Sequence, residues 1–298
     1  MSDDYTSRFI AAQDGLTLHV RAYGKRSGDH LPVVCLPGLA RTGADFHEFA
    51  LALSADTKKP RQAIALDYRG RGRSDYDRDA ANYNLATEIR DLLAVLTALE
   101  IGPAVFVGTS RGGILVMLLA TVRPTVLAGA VLNDIGPVID PRGLLRIKNY
   151  VGKLPQPRSF EDAADIMRRL FSGHFPKLTA EEWMTFARRT FEEREGRLAP
   201  SYDPKLAKIL DAIDIGRPLP PLWKEFDALA RVPVMVIRGA NSDVLSPDTV
   251  GAMRQRRSDL EVVEVPDQGH APLLSEAGII GRIAAFVARC EPEGANVH

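Results

Sequence analysis

Ala104-Val-Phe-Val-Gly108-Thr109-Ser110-Arg111-Gly112-Gly113-Ile-Leu-Val-Met-Leu-Leu-Ala120 is the stretch on which the fold turns. Ala104 to Val107 is a short, continuous apolar run, as a strand covered on both faces requires. Arg111 to Ala120 is long and apolar enough for a buried helix. Only Gly108, Thr109 and Ser110 separate the two. A strand-to-helix turn this sharp strains its central residue and needs small neighbours two positions away on either side. Gly108 and Gly112 meet that need, and Gly113 lets the helix pack close to the sheet. The Ser110 hydroxyl is thereby lifted off the sheet edge at a helix N-terminus, where the dipole favours developing negative charge. Gly-x-Ser-x-Gly by itself is weak, since it arises by chance in roughly one chain in ten of this length. Its setting makes it specific against the competing role, a serine that merely caps the helix.

Outward from this turn, strand and helix patterns alternate. Pro32 to Leu36, Gln62 to Asp67, Ala128 to Asn133, Val234 to Ile237 and Glu261 to Val265 read as strands. Asn84 to Leu99 reads as an amphipathic helix with Leu85, Ile89, Leu92, Leu93 and Leu96 on one face. Asp14-Gly15 marks a hairpin within Ser7 to Tyr23. Buried strands alternating with helices predict an α/β fold, a parallel sheet with helices on both faces. From Asp140 to Pro221 no buried strand is evident. Helical stretches at Ala163 to Leu170 and Glu181 to Phe191 are broken by prolines and end at Pro218, Pro220 and Pro221. The expected organisation is a core of residues 1–137 and 222–298 with a helical insertion, 138–221, large enough to form a lid.

Composition narrows the function. Lys plus Arg and Asp plus Glu both total 38 in 298 residues, so bulk charge offers no case for nucleic acid or an acidic membrane surface. The apolar run Ile114 to Val122 is too short to span a bilayer. Ser2, Asp3 and Asp4 do not open a secretory signal. Cys35 and Cys290 read as unpaired thiols in a reducing compartment, which points to the cytoplasm. Arg69-Gly-Arg-Gly-Arg73 superficially matches an RNA-binding box, but one short copy between a strand and a helix in a neutral chain reads as a structural loop.

A serine nucleophile needs a base, and the base needs an acid to orient it. His19, His30, His47, His174 and the terminal His298 lie in strand, polar, helical, insertion and end positions with no such setting. His270, in Gln268-Gly-His-Ala-Pro272, follows the last strand at its carboxyl end, where sites in parallel sheets form. Asp243 follows the Val234 to Ile237 strand and is the favoured acid. Asp134, after the Ala128 to Asn133 strand, is its rival; Asp67 is more distant and Asp267 is too close to His270 in sequence. Asp248, beside Pro247, suits a helix cap better. The oxyanion donors expected are the backbone N–H groups of Arg111 and of Leu39, after the Leu36-Pro37-Gly38 turn.

Leu36-Pro37-Gly38, Asp67-Tyr-Arg-Gly-Arg-Gly-Arg-Ser74, the turn at Ser110, Asp243 and Gly269-His270 cover nearly the whole chain outside the insertion. In that order they resemble the α/β-hydrolase superfamily. The resemblance implies an eight-stranded, mostly parallel sheet with its second strand antiparallel and a cap inserted after the sixth strand. It also implies a serine hydrolase without metal or organic cofactor. Its expected substrate is a small ester or lactone, and the expected state is a monomer or homodimer with no nucleic-acid or membrane partner. Many relatives carry His-Gly where this chain has Pro37-Gly38, which keeps the backbone donor but removes a side chain. The same triad supports C–C bond hydrolysis, perhydrolysis and some lyase chemistry, and some relatives are ligand receptors with an intact triad. A serine at position 110 speaks against dehalogenase and epoxide-hydrolase chemistry, which use a carboxylate there. Arg111, beside the nucleophile, is a candidate to bind a substrate carboxylate. Phe171, Phe175, Trp183 and Phe186 are candidates to wall an apolar pocket.

Overall fold

The computed structural model describes residues 4–26, 28, 30–214, 216, 217 and 219–292; Ser2, Asp3, Pro218 and His298 lie outside the described residues. Eight strands form one sheet: β1 (Thr6–Ala11), β2 (Thr17–Tyr23), β3 (Val33–Leu36), β4 (Ala63–Asp67), β5 (Ala104–Thr109), β6 (Leu127–Asn133), β9 (Val234–Gly239) and β10 (Glu261–Val265). The remaining two, β7 (Phe191–Arg194) and β8 (Arg197–Pro200), pair as a separate hairpin. The sheet order is β1-β2-β4-β3-β5-β6-β9-β10. β2 runs antiparallel to both neighbours and every other pair inward of it is parallel.

The continuous apolar strands of the sequence follow from this layering. Val34, Leu36, Phe106 and Val236 point to one face of the sheet, where they join a core beneath α2 (Leu85–Ala98) and α3 (Arg111–Val122), helices that follow α1 (His47–Ser54) in the chain. Val33, Cys35, Val107 and Ile237 point to the opposite face, under α1 and the C-terminal helix Ala277–Arg289. With both faces covered, alternation of polar and apolar residues has no purpose. Asn84 caps α2 by accepting the Thr87 N–H, so the helix starts where the pattern places it.

Between β6 and β9 the chain forms α4 (Pro141–Tyr150), α5 (Phe160–Phe171), α6 (Ala180–Thr190), the β7–β8 hairpin and two short helices, α7 (Ala207–Asp211) and α8 (Trp223–Asp227). Phe171, Phe175, Trp183 and Phe191 give this segment its own apolar cluster. The hairpin was not expected. Its strands are four residues each and carry the charged residues Glu192, Glu193, Arg194 and Arg197, so no buried-strand signal exists to be read. Two smaller expectations also change. The Asp14-Gly15 turn is part of a longer loop in which only Gly15 has positive φ (84°). The helix Pro247–Arg256, α9, is capped by Ser246, whose side chain accepts the Thr249 N–H, with Asp248 in its first turn. Among the described residues no helix is long and apolar enough to cross a membrane.

Candidate active site

Ser110 sits at φ 52°, ψ −115°, between the last residue of β5 and the first of α3. Such positive φ is a strained conformation for a non-glycine residue. The close packing around it excludes side chains at the flanking positions. A Cβ on Gly108 would lie 2.5 Å from the Gly112 carbonyl carbon, and one on Gly112 would lie 2.0 Å from the Leu36 oxygen. The Ser110 N–H donates to the Asn133 carbonyl at 2.9 Å. Asn133 Nδ2 in turn donates to Thr109 Oγ1 (3.1 Å) and to the Pro272 carbonyl (3.0 Å). One buried amide thus joins the ends of β5 and β6 to the loop that carries His270.

Ser110 Oγ is 2.8 Å from His270 Nε2, and His270 Nδ1 is 2.8 Å from Asp134 Oδ2. The imidazole is nearly buried and the Asp134 side chain wholly so. Asp134 Oδ1 accepts the Gly239 N–H at 2.8 Å and Oδ2 accepts the Ser242 hydroxyl at 2.5 Å. The Asp134 carboxylate thus meets three donors, the Gly239 N–H, the Ser242 hydroxyl and the His270 ring. An acceptor-only carboxylate places the ring proton on Nδ1 and leaves the Nε2 lone pair facing the serine hydroxyl.

The expected acid, Asp243, is therefore corrected: the carboxylate on the imidazole is that of Asp134. Asp243 is taken by Arg146 of α4, whose Nε and Nη2 donate to its two oxygens at 2.6 and 2.8 Å. Burial pushes the Asp243 carboxyl up, and the Arg146 guanidinium outweighs that and holds it below the ordinary carboxylate value. His174 Nε2 lies 3.8 Å from the same carboxylate. Burial, and then the Arg146 charge, push the His174 imidazole below its ordinary value. Asp134 has φ 55°, a left-handed conformation that aspartate tolerates better than most residues and that turns the chain immediately after β6.

Arg111 also departs from expectation. Its Nε donates to Glu88 Oε2 at 2.6 Å, and Glu88, on α2, is fully buried. Arg71 Nη2 is 2.9 Å from Glu88 Oε1, while Arg71 Nε donates to the Leu39 carbonyl at 2.8 Å. Burial raises the Glu88 pKa, but the Arg111 and Arg71 charges outweigh it and leave it below the ordinary carboxylate value. The Arg111 side chain is therefore committed to a structural carboxylate, and it does not line the pocket at Ser110. The guanidinium of Arg69 is similarly buried, with Asp91 bound bidentately at 2.6 and 2.7 Å and Asp77 at 2.6 Å. Two of the three arginines in the Arg-Gly run are thus internal struts.

The pocket at Ser110 and His270 is bordered by Gly38 and Leu39 on one side and by Phe171, Phe175 and Phe186 of the inserted segment on another. Trp183 is not in its wall; it packs edge-on against Phe186, 5.9 Å between ring centroids, in the cluster behind. Arg41 does reach the pocket, and sequence reasoning missed it. Its guanidinium forks onto Asp45 (2.7 and 2.6 Å), donates to Thr190 Oγ1 (2.5 Å) and stacks over Phe186 at 4.7 Å. Arg189, also on the pocket, pairs with Glu48. No local signal in the sequence links Arg41 to the insertion.

Residues 33–280 match the model of the alpha/beta hydrolase family. A 3-hydroxybutyrate-oligomer hydrolase of Cupriavidus necator is 34% identical over 275 residues, which are 89% of this chain and 91% of that protein. A 2-(acetamidomethylene)succinate hydrolase of Mesorhizobium japonicum is 26% identical over 269 residues, 90% of each. An alpha/beta hydrolase structure from Novosphingobium aromaticivorans superposes with a TM-score of 0.90 at 38% identity, covering 97% of this chain and all of that one. The sheet order, the strained serine turn and these matches agree, and the chain belongs to the alpha/beta hydrolase family.

Proposed function

We propose that the protein is a serine hydrolase that cleaves a small carboxylic ester or lactone through an acyl-enzyme, with Ser110, His270 and Asp134 as its relay. The observation that carries this reading is the unbroken pair of 2.8 Å contacts from Ser110 Oγ through His270 to Asp134. His270 Nε2 takes the serine proton as Oγ attacks the acyl carbon, and Asp134 steadies the resulting imidazolium. The backbone N–H groups of Leu39 and Arg111 receive the oxyanion. The alcohol leaves with the proton from His270, and water repeats the sequence to release the acid.

Segment 138–221 serves as the cap and supplies the aromatic wall, so the group lodged there is apolar. Arg41 and Arg189 face the pocket already paired with Asp45 and Glu48. A guanidinium neutralised by a carboxylate is a hydrogen-bond donor more than a charge trap, so neutral esters are favoured over acidic ones. A hydroxy acid forms oligomers through ester bonds, and the relative named for 3-hydroxybutyrate oligomers is consistent with ester chemistry. With Cys35 and Cys290 unpaired, a reducing compartment such as the cytoplasm suits the chain.

The test is incubation with a fluorophosphonate, read by intact mass and peptide mapping, beside a panel of neutral and acidic acyl esters and lactones. The expected result is one label on Ser110 and turnover of neutral esters, with Ser110→Ala lowering kcat on the order of 10⁴- to 10⁶-fold. A folded protein that neither takes the label at Ser110 nor turns over any member of the panel overturns the reading.

A further inference from the structure

At the β1 edge of the sheet stands a second hydroxyl–imidazole–carboxylate chain, separate from the one at Ser110. His19 on β2 lies between Phe9 of β1 and Asp67 of β4 in the strand register. Its Nδ1 is 2.7 Å from Asp67 Oδ2 and its Nε2 is 3.0 Å from Ser7 Oγ. The His19 and Asp67 side chains are fully buried. Asp67 also accepts the backbone N–H groups of Gly43 (2.7 Å) and Arg73 (3.2 Å). Its oxygens act as acceptors, so the ring proton sits on Nδ1 and Nε2 offers its lone pair to the Ser7 hydroxyl.

A buried histidine needs a partner for each nitrogen, and Ser7 supplies one of them. Structural need ends there, but the polar contacts continue. Arg73 Nη1 donates to Ser7 Oγ at 2.8 Å. The hydroxyl therefore has a base on its proton, the feature that activates a serine, and a cation beside its oxygen that favours the negative charge developing there as the proton leaves. Ser7 is partly exposed, unlike its relay. Phe9, two residues along the same strand and on the same face, is 52% exposed. Its ring lies 5.1 Å from that of His19 and under the Arg73 guanidinium, also at 5.1 Å. An open aromatic platform thus borders the hydroxyl.

We propose that Ser7 is a second, surface nucleophile that accepts an acyl group from an activated aryl ester and retains it. Ser7 Oγ bonds to the acyl carbon as His19 Nε2 takes its proton. The bond from acyl carbon to aryl oxygen breaks, and the phenol departs with the proton from His19. Nothing is oxidised or reduced. Arg73 donates to the attacking oxygen, and among the described residues no helix begins at Ser7 to offer paired backbone donors to the ester's carbonyl oxygen. Losing one such donor costs about 10²- to 10³-fold, so Ser7 reacts at least about 10²-fold more slowly than an elbow serine. Release of the acyl group by water faces the same handicap, and the modified chain accumulates.

The experiment treats the Ser110→Ala protein with p-nitrophenyl acetate and follows acetylation by intact mass and peptide mapping. It does not depend on the role assigned to Ser110, which is absent from the variant. The expected result is one slowly added acetyl group on Ser7, formed much faster than any on Ser258, an exposed serine. Adding Ser7→Ala removes that label from a protein that stays folded, its melting temperature lowered by a few degrees because His19 Nε2 loses its partner, and in the chain with Ser110 intact Ser7→Ala leaves ester turnover unchanged. Because His19→Gln risks unfolding a buried site, Arg73→Leu is the second probe and should slow Ser7 labelling severalfold. Acetylation of Ser7 no faster than of Ser258, or confined to amines, overturns the proposal.

Discussion

Among the described residues stand two serine–histidine–aspartate chains with nearly the same internal distances, and their surroundings differ in almost every respect. At Ser110 the hydroxyl stands on a strained turn at the start of α3, faces a pocket with an aromatic wall, and has two backbone segments beside it. At Ser7 the hydroxyl lies on a regular edge strand, faces solvent, and has one guanidinium beside it. The carboxylates differ as well. Asp134 is held by Gly239 and Ser242, groups on the loops of the site itself. Asp67 is the hub of a structural loop, tied to Gly43 and to Arg73. Relay distances alone do not distinguish a turnover site from a buried histidine that has found its partners. What separates them is the arrangement that receives charge on the far side of the oxygen.

The largest test of this contrast compares Asp134→Asn with Asp67→Asn. An asparagine at 134 presents an amide to the imidazole and favours the wrong tautomer, so kcat for a neutral ester should fall on the order of 10⁴-fold. An asparagine at 67 leaves buried donors poorly matched and should cost about 1–3 kcal/mol of stability, with ester turnover by the folded fraction within a few-fold of wild type. Kinetics at a temperature well below melting, together with urea titrations, separate the two. Loss of turnover in both variants, or in neither, would erase the functional distinction between the chains.

A smaller effect is expected at Glu88. Its carboxylate links Arg111, which follows Ser110, to Arg71, which holds the Leu39 carbonyl. The two peptides proposed to receive the oxyanion are therefore braced against each other through one buried anion. Glu88→Gln should cost about 3–5 kcal/mol, the usual loss on removing one partner of a buried ionic group. If the brace also sets oxyanion geometry, kcat falls by up to about 10²-fold with KM little changed. An unchanged kcat in the folded protein would leave Glu88 as a strut and nothing more. The Ser7 chain has no such brace, so the same substitution leaves its acetylation rate alone.

The buried strands, the sharp turn at Ser110 and the placing of His270 in the loop after the last strand were legible in the sequence because each follows from local rules. Apolar runs, small residues around a tight turn and a loop after the last strand all carry their signal within a few positions. The partners of charged side chains were not legible. Arg111 meets Glu88 across 23 residues and Arg146 meets Asp243 across 97, and nothing in either local pattern announces the pairing. The carboxylate that meets His270 was missed for that reason. Asp134 and Asp243 both follow strands that neighbour each other in the sheet, and the decision between them is made by an arginine on the inserted α4. The hairpin of β7 and β8 escaped because charged four-residue strands have no hydrophobic period to read.

The last and smallest prediction concerns that discarded acid. Asp243 and Arg146 are both about one-fifth exposed and paired bidentately, so the pair contributes on the order of 1 kcal/mol. The folded-state pKa of Asp243 lies below the ordinary carboxylate value. The stabilisation is therefore present above that ordinary value and is lost as pH falls through the folded one. Asp243→Asn should be slightly less stable than wild type at neutral pH, and the two unfolding curves should converge in acid. Its kcat should stay within a few-fold, since the imidazole keeps Asp134. A fall near that of Asp134→Asn would return the acid's role to Asp243, and the contrast between the two relays would then need a different carboxylate. A stability difference that persists unchanged into acid would show instead that Arg146 holds the loop by shape rather than by charge.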